Sequence, residues 1–269
     1  MNIILHIGIP RTGTTFLQDS VFPNINDVNI VNFYGYKGII HDVLARREIQ
    51  KILIDIESFD TEFAYNEINK FMIEGKINLI TNENIYCKMF KKDDKRFEKI
   101  EKIKEIFPKA KIIFGTRNSD DLLLSWYKKY VVNGGVLSYS DFIKEHINMD
   151  KINYEKYIEY LKKLFGKENV YIYKFENLKK NANSFVNGIC EFIGTETPNF
   201  KRIKRNIGYS FWQTKISILI NNIYKTTLNP NGIIPLKYKY HPHRVIFQSP
   251  FFPKILRGQK LIKDNIKDL

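Results

Sequence analysis

An α/β fold with a mostly parallel sheet, helices on both faces and an irregular C-terminal layer is predicted by three observations. Short apolar runs recur along the chain, helical patterns fill the intervals between them, and a Gly/Thr turn joins the first run to the first helix. The runs at 2–8, 77–82 (INLITN), 111–116 (KIIFGT) and 169–174 (NVYIYK) are largely apolar, as strands buried on both faces are. A helix is expected from Thr14 to Phe22, with further helices at 62–74, 94–107, 120–132, 140–148 and 153–165. Another, at 182–193, stops at Gly194, a favourable residue for ending a helix. In such sheets ligands sit at the carboxyl ends of the strands.

The organisation expected is a single domain over 1–269, with an α/β core at 1–200 and a dependent basic layer at 201–269. After Arg205 the alternation fades, and residues 227–253 are rich in Pro, Tyr, Phe and His. At 269 residues and 43% hydrophobic the chain can build a sizeable core, which excludes a disordered tail. The two cysteines, Cys87 and Cys190, lie too far apart in sequence to suggest a disulfide scaffold and read as buried apolar residues. The start IILHIGI is short and has no basic segment before it, so no signal peptide is expected, and no apolar run reaches membrane-span length. The expected location is cytoplasmic, with peripheral contact at the inner membrane face left open.

Charge is unevenly spread. Of a net +14, residues 201–269 contribute +12, with 14 Lys and Arg against Asp264 and Asp268. Such a quarter can meet nucleic acid, an anionic membrane or a smaller polyanion, and charge alone does not separate these.

The sharpest motif is GIPRTGTTF, residues 8–16. A glycine-bearing turn entering a helix offers backbone N–H groups and the helix dipole to an anion, and Thr14 and Thr15 add hydroxyls. The Gly8-to-Gly13 spacing matches a nucleotide-binding P-loop. A Walker loop, however, places Lys at position 14 and an acidic metal anchor at a nearby strand end. Here position 14 is Thr, the loop's cation is Arg11, and the 111–116 strand ends without an acid. A phosphate ligand handled without an essential metal is therefore expected.

PRTGTTF resembles the 5′-phosphosulfate loop of the sulfotransferases that use 3′-phosphoadenosine 5′-phosphosulfate (PAPS), usually Pro-Lys-Ser/Thr-Gly-Thr-Thr-Trp/Phe. TRNSDDLLLSWY, residues 116–127, resembles their second signature, Arg-Asn-Pro-x-Asp followed by Ser and an aromatic, with Ser119 in place of Pro. The resemblance covers residues 1 to about 180. It implies a P-loop-type fold and a cofactor site made of Arg11, Thr12, Gly13, Thr14, Thr15 and Phe16, with Arg117 and Ser125 on the 3′-phosphate. Phe16 would face adenine or belong to the core. Arg205, Asn206 and Gly208 lie where relatives bring a late basic loop over the nucleotide.

Arg11 stands at the position of the family's usual Lys. Because Arg does not give up its proton, its expected catalytic role is electrostatic. Glu83, in ITNENIY, follows a buried strand where cytosolic sulfotransferases carry a catalytic His and carbohydrate-acting relatives commonly use Glu. It is the expected base, partial burial being the tuning a carboxylate base needs. His6 reads as a core histidine, and Glu176 in YKFENL as a residue ordering the sheet edge. The function expected is sulfuryl transfer from PAPS to a hydroxyl or amine of a glycan or glycolipid, with no metal required and no nucleic-acid partner. The alternatives are a Mg-dependent P-loop kinase of a small molecule and a polyanion binder built on the basic quarter. The surplus charge there, with Tyr238, Tyr240, Phe247, Phe251 and Phe252, suggests a surface for an anionic acceptor or membrane leaflet.

Overall fold

The structure, a computed structural model, describes residues 2–32, 40–201, 208–236, 241–248, 265–266 and 269. Arg205, Asn206, Tyr238, Tyr240, Phe251 and Phe252 lie outside the described residues. The chain divides into two units, Met1–Met89 with Asp93–Asn118 and Met149–Arg205, and Phe90–Lys92 with Ser119–Asn148 and Asn206–Leu269.

The first unit is built on five strands, β1 (Asn2–Gly8), β2 (Val28–Ile30), β3 (Ile77–Thr81), β4 (Lys111–Thr116) and β5 (Val170–Lys174). They lie in the order β2-β3-β1-β4-β5, and every pair is parallel. The central strand β1 runs beside β3, with His6 opposite Thr81, and beside β4, with Gly8 opposite Gly115. Its helices are the short α1 (Thr14–Phe16), α2 (Ile40–Ile54), α3 (Thr61–Asn69), α4 (Arg96–Ile106), α7 (Glu155–Phe165), α8 (Phe175–Lys180) and α9 (Ala182–Ile193).

Both faces of the sheet are covered, as the apolar runs predict. Ile4, Leu79, Ile113 and Tyr173 cluster with Leu17, Val21 and Phe22 and with Phe185, Val186 and Ile189 of α9. Side chains alternate along a strand, so Phe114 points the other way, where its ring lies 5.1 Å from Tyr86 and 5.5 Å from Tyr157 of α7. Each fully buried large apolar side chain of this kind contributes about 1.5–3 kcal/mol. Helix α9 keeps its predicted limits: Asn181 Oδ1 accepts from the Ser184 amide, and Gly194 ends it at φ 87°.

Two elements depart from expectation. The helix predicted over Thr14–Phe22 is α-helical only to Phe16, then widens into a π turn at Leu17–Val21 and a 3₁₀ turn at Phe22–Asn24. Leu17 and Phe22 are both fully buried. Five residues of α-helix would rotate them about 140° apart, whereas the wider turn aligns them on the core. The helix expected at 62–74 ends at Asn69, because Asn78 takes the backbone of Ile73, accepting from its N–H and donating to its C=O. The strand β2 and the helix α2 carry no periodic signal strong enough to have been expected.

The second unit holds α5 (Ser119–Val132), α6 (Tyr139–His146), α10 (Phe211–Ile223), the short strands β6 (Tyr224–Lys225) and β7 (Ile234–Pro235), and α11 (Pro242–Gln248). Tyr127 and Tyr130 of α5 pack on Phe142 of α6 with ring centroids 5.5 and 5.0 Å apart. Helix α10 opens with a capping box, Ser210 accepting from the Gln213 amide and Gln213 from the Ser210 amide.

Gly115 marks the tightest point of the first unit. A Cβ there would stand 2.3 Å from the Tyr173 ring, which crosses the strand at this residue. Gly115→Ala must displace that ring, and overpacking of this kind costs about 1–3 kcal/mol. A fall in Tm of roughly 3–10 °C by calorimetry is expected; an unchanged Tm would contradict the packing described.

Candidate active site

The phosphate loop begins where β1 ends. The Ile9 amide donates to Gly115 O at 3.3 Å, and the buried Thr12 hydroxyl donates to Ile9 O at 2.7 Å, which closes the turn. Two residues adopt left-handed backbone, Arg11 at φ 81° and Gly13 at φ 93°. A non-glycine residue held there costs on the order of 1–3 kcal/mol and persists only where its surroundings over-determine it. At Arg11 the Arg117 Nη1 donates to its carbonyl at 3.0 Å. The first intrahelical bonds run from the Phe16 and Leu17 amides to Gly13 O. The N–H groups of Thr14 and Thr15 therefore belong to the open first turn of the helix, the arrangement that favours an anion.

Glu83 follows β3 at the head of a 3₁₀ turn, Glu83–Ile85, capped by Asn82, whose Oδ1 accepts from the Asn84 amide. The Asn82 amide donates to His6 O at 3.0 Å, tying this turn to β1. The Glu83 carboxylate meets the phosphate loop directly: its Oε2 accepts from the Thr14 hydroxyl at 2.7 Å. Arg11 feels both its burial, which draws its pKa below the ordinary value, and the Glu83 charge, which opposes that fall. It remains a cation throughout the physiological range.

Arg117 follows β4. Its guanidinium lies 4.8 Å from the Phe175 ring centroid, and the Tyr154 hydroxyl donates to its carbonyl. The next residue is held too, with the Asn118 amide donating to Glu176 Oε1 at 3.0 Å, so Glu176 joins the ends of β4 and β5.

Beneath the loop runs a row of buried polar groups. His6 Nδ1 lies 2.8 Å from Thr81 Oγ1 and its Nε2 lies 3.0 Å from the Tyr173 hydroxyl, while Gln18 Nε2 donates to Thr81 Oγ1. Both ring nitrogens of His6 are thus engaged, and burial draws its pKa down to about 3. His6 is a neutral core histidine, as the sequence suggests.

The structure therefore brings Arg11, Thr14, Glu83 and Arg117 together at the strand ends of the first unit. Thr12 points its hydroxyl into the loop, Thr15 is exposed, and Phe16 packs edge-on to Phe200 with centroids 5.6 Å apart. Ser125 is buried on α5 and Gly208 is exposed beside Lys128, both in the second unit. Tyr154, Tyr173 and Phe175 were not foreseen as parts of this site. A glycine inside the buried run KIIFGT was the available signal for Tyr173, since it marks a close approach.

A parallel α/β sheet whose first strand opens into a glycine-bearing turn and a helix N-terminus, with a carboxylate set against that turn, defines an α/β protein with a frame for an anion at its strand ends. The family model described as "Sulfotransferase domain" matches residues 2–215. That is most of the chain, which belongs to the PAPS-dependent sulfotransferase family and is an enzyme of that class. The crystal structure of a sulfotransferase from Alicyclobacillus acidocaldarius is similar in fold, with TM-score 0.50 and 15% identity, over 74% of this chain and 83% of that one. A mouse sulfotransferase complexed with PAP matches at TM-score 0.43 and 15% identity, over 74% of this chain and 61% of that one. No curated protein matches the chain.

The neutral His6 predicts a pH dependence. Its native pKa is depressed to about 3 from the ordinary imidazole value of 6.5. The unfolded chain therefore takes up a proton that the native state refuses, and stability falls as pH drops from 6.5 toward 3. Relative to His6→Gln, the wild-type protein should lose up to about 1.4 kcal/mol more per pH unit in that window, read from urea unfolding. Parallel slopes for the two proteins would show that His6 is not held neutral.

Proposed function

We propose that this enzyme transfers the sulfuryl group of PAPS to a hydroxyl or amine of a glycan or glycolipid, with Glu83 as base and Arg11 as electrostatic catalyst. The observation that carries the reading is the Glu83 carboxylate 2.7 Å from the Thr14 hydroxyl, within the field of Arg11. A base held against the phosphate loop is placed where an acceptor hydroxyl must approach a sulfuryl group anchored there.

The residues present fit the cofactor. At Gly13 a Cβ would press on Leu178 at 3.1 Å and Phe175 at 3.2 Å, so this turn stays open only with glycine. The open first-turn amides, the Thr15 hydroxyl and two arginines form a donor set suited to phosphate oxygens. Bound PAPS supplies an activated sulfuryl group whose transfer leaves negative charge on a phosphate oxygen.

Arg11 neutralises that charge, and the loop amides are preorganised for the same oxygens. Arg117 offers planar, bidentate donation to the 3′-phosphate, its position set by Phe175 and the Arg11 carbonyl. Thr14 donates to Glu83 in this structure; turning its hydroxyl to a phosphate oxygen frees the carboxylate to take the acceptor's proton. Roles for Ser125, Gly208 and Arg205 rest on the family resemblance. The carboxylate base favours a sugar hydroxyl, as it does in carbohydrate-acting relatives. Two arginines and the loop amides supply the positive charge a metal would otherwise bring.

Three measurements test this reading. Glu83→Gln should lower kcat by about 10²–10⁴ while keeping affinity for adenosine 3′,5′-bisphosphate in calorimetry; full activity would remove Glu83 as the base. Arg117→Ala should weaken that affinity by roughly 10–100-fold, and wild-type binding should persist in EDTA. Labelled PAPS incubated with glycan and glycolipid extracts should yield a sulfated sugar identifiable by mass spectrometry.

A further inference from the structure

We propose that the second unit carries an apolar, lysine-flanked face that docks on the interface of an anionic lipid bilayer. Beyond Phe211 at its first turn, the buried residues of helix α10 are polar, Thr214, Ser217 and Asn221, while Trp212 is 43% exposed, Leu219 65% and Ile223 47%.

Asn221 sets this orientation, its Nδ2 donating to both Val131 O and Gly135 O at 2.8 and 2.9 Å, while Thr214 and Ser217 satisfy their hydroxyls on the helix's own carbonyls, Ser210 O and Gln213 O. Rotating the helix to bury its apolar side would cost the Asn221 amide both of its partners, the Val131 and Gly135 carbonyls.

The exposed stripe continues into the following strands. The Ile233 amide donates to Ile223 O, β7 pairs with β6, and Ile233 and Ile234 are 86% and 46% exposed. From Trp212 to Ile223 the stripe runs about 16 Å along the helix before it reaches Ile233. Single exposed apolar residues are ordinary, but three on one face of a helix whose buried side is mostly polar, with two more on the segment bonded to its end, mark a contact surface.

Charge selects the partner. Lys215 stands between Trp212 and Leu219 with its Nζ 5.9 Å from the Trp212 ring, and Lys225 is exposed beside the stripe. Between residues 201 and 263 the sequence contains no acid. An apolar stripe edged by lysines, with a tryptophan, suits the headgroup region of an anionic leaflet. A second copy of the chain would instead bring two strongly basic quarters together. Phe247, suggested for such a surface by the sequence, is buried against Tyr209 with centroids 5.2 Å apart and takes no part. This inference rests on the surface alone and stands whichever acceptor the enzyme uses.

The test is co-sedimentation of the full chain with phosphatidylglycerol-containing vesicles and with phosphatidylcholine vesicles, alongside tryptophan emission. Binding to the anionic vesicles with a blue shift is expected, Trp212 being exposed and Trp126 buried. Leu219→Glu and Ile233→Glu should each weaken it by about tenfold or more. Unchanged melting and adenosine 3′,5′-bisphosphate binding in these variants would show that the fold is intact. Failure of the wild type to bind anionic vesicles, or equal binding by all three proteins, would overturn the proposal. A wild-type dimer that Leu219→Glu converts to monomer would assign the face to a second copy instead.

Discussion

The row of hydrogen bonds from Thr81 through His6 to Tyr173 lies under the phosphate loop and ties three of the five strands together by their side chains. It requires Gly115, because the Tyr173 ring crosses β4 where a Cβ would otherwise stand. It also requires a neutral imidazole, since an imidazolium buried here would lack its hydration and leave one neighbouring hydroxyl wrongly oriented. Gly8 and Gly115, facing each other across β1 and β4, bring the loop down close to this row. The loop's own turn, closed by Thr12 on Ile9, is therefore built on a rigid base rather than on flexible chain.

That base explains how the site can hold strain. Arg11 sits in left-handed backbone without being glycine, and its carbonyl accepts a hydrogen bond from the guanidinium of Arg117. The two arginines are thus mechanically linked: one guanidinium positions the backbone that aims the other. Glu83 is joined to the same assembly through Thr14, and its own turn is tied to β1 by the Asn82 amide. Cation, carboxylate and open helix turn are thus held together by the fold itself, the preorganisation on which the proposed electrostatic role of Arg11 rests.

Most of the parallel core was legible in the sequence because a strand buried on both faces must be apolar throughout, and four such runs are unmistakable. The loop was legible because glycine and threonine spacing reflects local backbone geometry. Three-residue β2 is too short to show a pattern. The π turn at Leu17–Val21 arises from the core's demand for both Leu17 and Phe22, which no local propensity encodes. Helix α10 was hidden for a different reason: apart from Phe211 its buried residues are polar, and Trp212, Leu219 and Ile223 are exposed, so the usual reading of periodicity points the wrong way.

The sequence by itself determined the class of fold, the phosphate loop, and which cations and carboxylate were available for chemistry. These are properties of residue type and near spacing. Tertiary structure alone decided that Glu83 would meet Thr14 across 69 positions of chain and that Arg117 would reach the Arg11 carbonyl across 106. It also decided which side of α10 faces solvent. Such choices depend on strand order and on buried hydrogen bonds between distant segments, and no single stretch of sequence contains both partners.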